Sequence, residues 1–298
     1  MSATPATGIE TISVDLPTAS AIESAEARAW ADLYAAAPAE FAGQAGVGSR
    51  EVAGALVLSW AATGRRYFSR AIGLGVTQPA TPEVIDEILA GWQQAGIKMF
   101  LLQSLPHCRP AGYDQWLRER GLTPFDRQDR IVRGSAPLQG DRSASSEREL
   151  SVERVTAETA EEWSEFLSGI YRLDTGPWLP RLVDRPGWYQ YLARDGSEVA
   201  AARGMYIGPD GIAWLGMDAP VPGLTTPTPG LSTHDDAPDA ALCAQIVRDG
   251  LALGARQFIT DIEAHSETMD TPGYRYFPAL GFKRPYVRTH YARMPADR

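Results

Sequence analysis

Apolar positions in the first third of the chain repeat with a helical period. Ile22, Ala25, Ala29, Leu33 and Tyr34 fall on one face of a helix that Pro38 stops. Residues 52–60 and 67–75 read as strands. Thr81-Pro82 opens a second helix as cap and first-turn proline, with Val84, Ile85, Ile88, Leu89 and Trp92 on one side. Residues 97–103 are almost continuously apolar, the pattern of a strand covered on both faces. Tyr113, Trp116 and Leu117 mark a third helix, which ends at Gly121 before a strand near 127–133.

The second half follows the same plan. Trp163, Phe166, Leu167 and Ile170 line a helix, and 199–207 and 212–217 are strands. A helix over 240–253 closes at Gly254, a buried strand covers 258–262, and a short helix around 274–280 stops at Gly281 before a last strand at 286–293. The small, polar stretch over 133–149 has no hydrophobic period and reads as an interdomain linker. These patterns predict an α/β (α+β) protein of two tandem domains, each a mixed twisted sheet flanked by helices. The expected boundaries are 1–135, a linker at 136–149, and 150–298.

Composition narrows the class. With 298 residues, 44% hydrophobic and 22% charged, the chain can build a substantial core, which excludes a disordered or fibrous protein. No apolar run approaches the roughly 18 residues of a membrane span, and the N-terminus lacks the blocks of a secretion signal, so a cytoplasmic protein is expected. The net charge of −9 argues against nucleic-acid binding. Lys98 and Lys283 are the only lysines. From Gly204 to Val247 there is no basic residue, while Asp210, Asp218, Asp235, Asp236 and Asp239 fall there. Cys108 and Cys243 show no metal or redox spacing and read as buried thiols. No metal site, Ser/His/Asp triad or Walker loop is expected.

The second half resembles the GCN5-related N-acetyltransferase (GNAT) superfamily. The residues that carry the resemblance are 187–196, Val199-Ala200-Ala201-Ala202, Ala213-Trp214-Leu215-Gly216, Tyr274-Arg275, Leu280-Gly281-Phe282 and Tyr286-Val287-Arg288. The first half looks like the more divergent copy of a tandem member. The resemblance implies two splayed parallel strands, one ending at Met217-Asp218 and the other at Ile262-Glu263, with a donor's pantetheine arm between them. Backbone N–H groups near Met217, Asp218 and Ala219 would bind the acyl carbonyl. An acceptor amine would then attack the thioester with no covalent enzyme intermediate. His265 and Glu263 are the candidate bases, with Glu263 equally a candidate carboxylate for binding the acceptor. The family's tyrosine position is held by Phe277, which leaves the neighbouring Tyr276 as the candidate acid or as a packing residue. Trp178 and Arg181 lie where early loops line the acceptor pocket, whereas Trp188 reads as packing. His234 and His107 have no assigned role.

One family feature is missing. The turn after the first splayed strand normally carries an Arg/Gln-x-x-Gly-x-Gly/Ala signature that cradles the coenzyme A pyrophosphate. Here 220–239 holds prolines at 220, 222, 227, 229 and 238, with aspartates at 235, 236 and 239. Prolines remove donor N–H groups and aspartates repel phosphate. The expected activity is therefore acyl transfer from a pantetheine thioester to an amine of a small metabolite, in specialised metabolism, with no tightly bound cofactor. The donor is acyl-CoA or, as the altered turn favours, an acyl carrier protein. An acidic carrier would dock on Arg127, Arg130 and Arg133 or on Lys283, Arg284 and Arg288, unless these are ordinary edge-strand charges. The alternatives are a conventional acyl-CoA-dependent acetyltransferase and a non-catalytic GNAT-like binding module.

Overall fold

The computed structural model describes residues 8–138, 150–219, 236–263 and 273–294. Two compact units are present, and neither is one consecutive stretch of sequence. The C-terminal unit takes Met1–Ser13, Asp129–Arg172 and Val183–Tyr286; the N-terminal unit takes Val14–Gln128, Leu173–Leu182 and Val287–Arg298. The boundaries expected at 135 and 150 differ from these because two long strands change unit part-way. β5 (Thr123–Gly134) passes into the C-terminal unit at Asp129, and β11 (Lys283–Ala292) passes into the N-terminal unit at Val287. Most of the expected linker, 139–149, lies outside the described residues.

The N-terminal unit contains α1 (Leu16–Ala35), α2 (Ala39–Ala45), β1 (Val47–Val52), β2 (Ala55–Trp60), β3 (Arg70–Ile72), α3 (Pro82–Gln94), β4 (Leu101–Ser104) and α4 (Tyr113–Glu119). Its strand order is β1-β2-β3-β4-β11-β5, with β3 and β4 parallel. Helix starts follow sequence chemistry. Asp15 accepts the Thr18 N–H at 2.9 Å to cap α1, and Thr81 accepts the Val84 N–H at 3.4 Å to cap α3. The stretch read as one strand over 52–60 is instead the second half of a hairpin. Ala53 and Gly54 form its two-residue turn, both with positive φ (47° and 74°). Alanine rarely adopts that conformation, so the turn left no signal in the sequence.

One face of this sheet is apolar: Ile85, Ile88 and Trp92 of α3 pack with Val57, Leu102 and Phe100. The other face carries charge. Glu23 and Glu26, three residues apart on α1, are both buried, as are Arg70 and Arg288. Glu26 lies 2.9 Å from Arg70 and 2.5 Å from Arg288, and Arg288 also reaches Gln128 at 3.3 Å. Arg288 is thus a fully buried ion-pair partner, which overturns its expected place on a carrier-docking surface. Nearby, His290 is also fully buried, with Nε2 3.1 Å from the Gln103 amide and Nδ1 3.5 Å from the Asp126 carboxylate. Burial holds its pKa below the usual histidine value.

Trp178 and Arg181 belong to this unit as well. The Trp178 indole N–H donates to the Leu33 carbonyl at 2.7 Å, and its ring meets Tyr34 and Trp60 edge-on at 5.3 and 5.0 Å. Trp178 is therefore a core residue with its polar atom satisfied, not the pocket wall expected. Arg181 is exposed on the following turn.

The C-terminal unit contains β6 (Leu150–Arg154), α5 (Ala160–Tyr171), β7 (Trp188–Asp195), β8 (Glu198–Ile207), β9 (Ile212–Ala219), α6 (Ala237–Ala252), β10 (Gln257–Glu263) and α7 (Gly273–Tyr276). Its strands run β5-β10-β9-β8-β7-β6, antiparallel from β6 to β9 and parallel between β9 and β10. Alternate residues Tyr191, Ala193, Ala201, Met205, Ala213 and Leu215 pack with Leu242, Cys243, Ile246 and Val247 of α6. Gly250 permits that approach, since a Cβ there would stand 2.5 Å from the Phe258 ring. Helix α5 packs on β8 and β9. Each unit thus has a parallel strand pair joined across a helix, β3-α3-β4 and β9-α6-β10. Among the described residues no helix is long and apolar enough to cross a membrane, and no metal-ligand cluster occurs.

Two outcomes are expected. Glu26→Ala leaves Arg70 and Arg288 buried without their shared partner and should cost about 3–5 kcal/mol in denaturant unfolding, against clearly less for Glu26→Gln. His290 has a folded pKa below its unfolded value, so the unfolded chain binds the extra proton. Its contribution is complete above the unfolded pKa of roughly 6.5 and is lost as pH falls below it. His290→Gln should flatten the stability-against-pH curve in that window, read by unfolding at a series of pH values.

Candidate functional site

The parallel pair of the C-terminal unit separates soon after it forms. β9 and β10 are in register over three positions only, Ile212↔Gln257, Ala213↔Phe258 and Trp214↔Ile259, although they continue to Ala219 and Glu263. The cause lies on the other side of β9. Its register with β8 jumps between Gly204↔Gly216 and Ala202↔Ala219, so that Met217 and Asp218 together oppose Arg203. This is a β-bulge, and Met217 holds a φ of 55° within it. A non-glycine residue in that region costs on the order of 1–3 kcal/mol, a strain that commonly accompanies functional sites. Met217, Asp218 and Ala219, the expected donor-binding residues, form one rim of the resulting cleft, and Glu263 ends the opposite strand.

Charged and hydroxyl groups converge at the bulge. The Tyr171 hydroxyl at the end of α5 donates to the Asp218 carbonyl, and burial followed by the charges of Asp218 and Glu263 pushes its pKa well up. Arg203, buried on β8, grips Asp239 side-on with Nε and Nη2 each at 3.0 Å and lies 3.7 Å from the Asp218 carboxylate. Tyr276 also donates its hydroxyl hydrogen to Asp239. Burial and then Asp239 raise the Tyr276 pKa well above the ordinary tyrosine value, so it stays protonated. Cys243 of α6 belongs to the same group, its thiol pushed well up by burial. His265 and His234 lie outside the described residues. Sequence reasoning missed Tyr171 and Arg203; the one available signal was that Arg203 is the last basic residue before the gap that ends at Arg248.

The start of α6 is acidic and short of donor N–H groups. Asp236 stands at the cap without a side-chain capping bond, Pro238 lies in the first turn and contributes no N–H, and Asp239 follows. Asp236 is paired with Arg275 at 2.8 Å and Asp239 with Arg203. Among the described residues, Arg203 and Arg275 at this terminus already neutralise carboxylates, and the terminus suits an anion poorly.

The parallel pair of the N-terminal unit is closed by its own backbone. After β3 the chain turns through Gly73 and Gly75, both with φ near 80° (81° and 80°). The segment after β4 is tied to this turn: the Arg109 N–H donates to the Gly75 carbonyl at 2.8 Å, and the Ala80 N–H to the Arg109 carbonyl at 2.9 Å. Arg109 Nη2 adds a bond to the Val76 carbonyl at 3.0 Å. Cys108 is packed beneath, its pKa pushed up to about 12 mainly by burial. His107 contacts the Val14 carbonyl at 2.9 Å.

The expected docking arginines divide in the same physical terms. Arg130 is fully buried and 3.3 Å from Asp261, and Arg133 is buried with its guanidinium 5.5 Å from the Phe258 ring centre. Neither can form a docking surface or an edge-strand charge, because β5 is an interior strand between β11 and β10. Arg284 is half-buried on Asp129 at 2.7 Å, and Lys283 is paired with Glu10 at 2.9 Å. Arg127 alone of the first trio is exposed.

No protein-family model and no curated protein matches the chain. Solved structures do. A GCN5-related N-acetyltransferase from Kribbella flavida superposes with a TM-score of 0.55 at 16% identity, covering 84% of this chain and 90% of that one. A tandem GNAT protein from the clavulanic acid biosynthesis pathway gives 0.51 at 13% identity, covering 82% and 79%. A parallel strand pair joined across a helix in each unit, splayed at a bulge in the C-terminal one, together with the match of these structures over most of the chain, identifies a mixed α+β protein with the fold of the GNAT superfamily, in its tandem form.

Proposed function

We propose that the chain is an N-acyltransferase that moves an acyl group from a pantetheine thioester to an amine of a small metabolite, with the chemistry in the C-terminal unit. The observation that carries this reading is the bulge at Met217, which opens a cleft between β9 and β10 where a thioester arm can pair with strand backbone. The closed turn of the N-terminal unit argues for a single site. The acyl carbonyl would lie against backbone N–H groups at the bulge, where negative charge develops on its oxygen. Glu263, at the end of β10, would receive the amine proton directly or through water, and His265 in the next segment is the other candidate base.

The donor is proposed to be the arm alone, presented on a carrier protein. The support is the acidic, proline-containing start of α6. With Arg130, Arg133 and Arg288 buried, a carrier would have to use Arg127, Lys283, Arg284 or other surface.

Acyl-carrier protein and acyl-pantetheine should therefore be turned over at least as well as acyl-CoA in a thiol-release assay. A clear preference for acyl-CoA overturns the carrier reading, and no turnover of any thioester assigns the chain to non-catalytic binding. Glu263→Gln should lower kcat by about 10²-fold or more with the unfolding midpoint little changed. An unaltered kcat would transfer the role of base away from Glu263.

A further inference from the structure

Arg203 is a cation inside the C-terminal unit that is only partly used. Nε and Nη2 are bound to Asp239, while Nη1 is buried and, among the described residues, has no hydrogen-bond partner. A charged donor in that state loses its hydration without return, unless a further acceptor atom is supplied, as a bound substrate can do. Its position says which atom. Arg203 is the single residue opposite the Met217-Asp218 bulge, and its guanidinium carbon lies 5.9 Å from the centre of the Phe277 ring. The resemblance gives a tyrosine, with the task of protonating the leaving sulfur, to the position that Phe277 holds.

Tyr276 does not fill that gap. Its hydroxyl hydrogen is given to Asp239, and passing it to sulfur would leave a tyrosinate beside that carboxylate in a buried site. A thiolate needs a positive charge nearby more than it needs a proton, because thiols are far more acidic than alcohols.

We propose that Arg203 takes up the negative charge on the leaving sulfur of the donor thioester, through Nη1. The inference rests on the acyltransferase reading above. The amine lone pair adds to the thioester carbon, the carbonyl π pair moves to oxygen, and the ammonium proton goes to the base. When the carbonyl re-forms, the C–S bond breaks with its electron pair on sulfur. That thiolate accepts a charge-assisted hydrogen bond from Arg203 and gains its proton from water on release, and the base returns the amine proton to the hydroxide left behind. Thioester and amine become amide and thiol, and Arg203 is unchanged. Asp239 is then a positioning residue, fixing the fork so that Nη1 faces the sulfur.

The test uses the full chain and a series of acyl thioesters whose leaving thiols run from pantetheine to nitrophenylthiol. Arg203→Lys keeps a cation for Asp239, and so the fold, but removes the second amino group. It should lose about 10²-fold in kcat on the pantetheine thioester and less than about 10-fold on the nitrophenyl thioester, whose thiolate needs little stabilisation. Guanidinium ion should restore part of the rate on the pantetheine thioester in Arg203→Ala. If all thioesters lose rate equally in Arg203→Lys, Arg203 acts on packing or on the carbonyl oxygen and this inference fails by itself. If the unaltered chain turns over none of the thioesters, the acyltransferase reading fails and takes this one with it.

Discussion

A two-for-one mismatch between β8 and β9 governs the C-terminal unit. Placing Met217 and Asp218 against Arg203 turns β9 away from β10 after three paired positions. The same mismatch sets Arg203 against Asp218 and within reach of Asp239. Cleft and charge therefore come from one irregularity of the sheet. Its cost, a methionine at positive φ, is held in place by hydrogen-bonded neighbours, among them Tyr171 on the Asp218 carbonyl.

Arginine inside the protein is the second recurring theme. Arg70, Arg130, Arg133, Arg203 and Arg288 are all buried, and four of them face carboxylates at 2.5 to 3.3 Å. Arginine is suited to this because its planar fork binds a carboxylate at two points and is less strongly hydrated than an ammonium group. Such pairs add little net stability over apolar packing, but losing one partner is costly. They fix geometry more than they strengthen the fold.

Much of this was legible in the chain. The capped helix start at Thr81 and the repeated plan follow from local chemistry and spacing, and the ends of the splayed strands from the family resemblance. What escaped is non-local. Glu26 and Arg288 are 262 residues apart, so their pairing leaves no local trace and each reads alone as surface charge. The family resemblance placed Trp178 among the loops that line an acceptor pocket, whereas its partners Leu33, Tyr34 and Trp60 lie far earlier in the chain. The passage of β5 and β11 between units was hidden for the same reason: strand patterns give no partner.

That passage has a consequence for synthesis. Residues 14–128 leave the ribosome well before Val287, yet the N-terminal unit needs Arg288 against Glu23 and Glu26, and Tyr291 in its apolar core. Until residues 287–292 emerge, its sheet lacks an interior strand and a buried carboxylate pair lacks one of its cations. The N-terminal unit therefore cannot be completed from residues 14–128 alone and waits on β11.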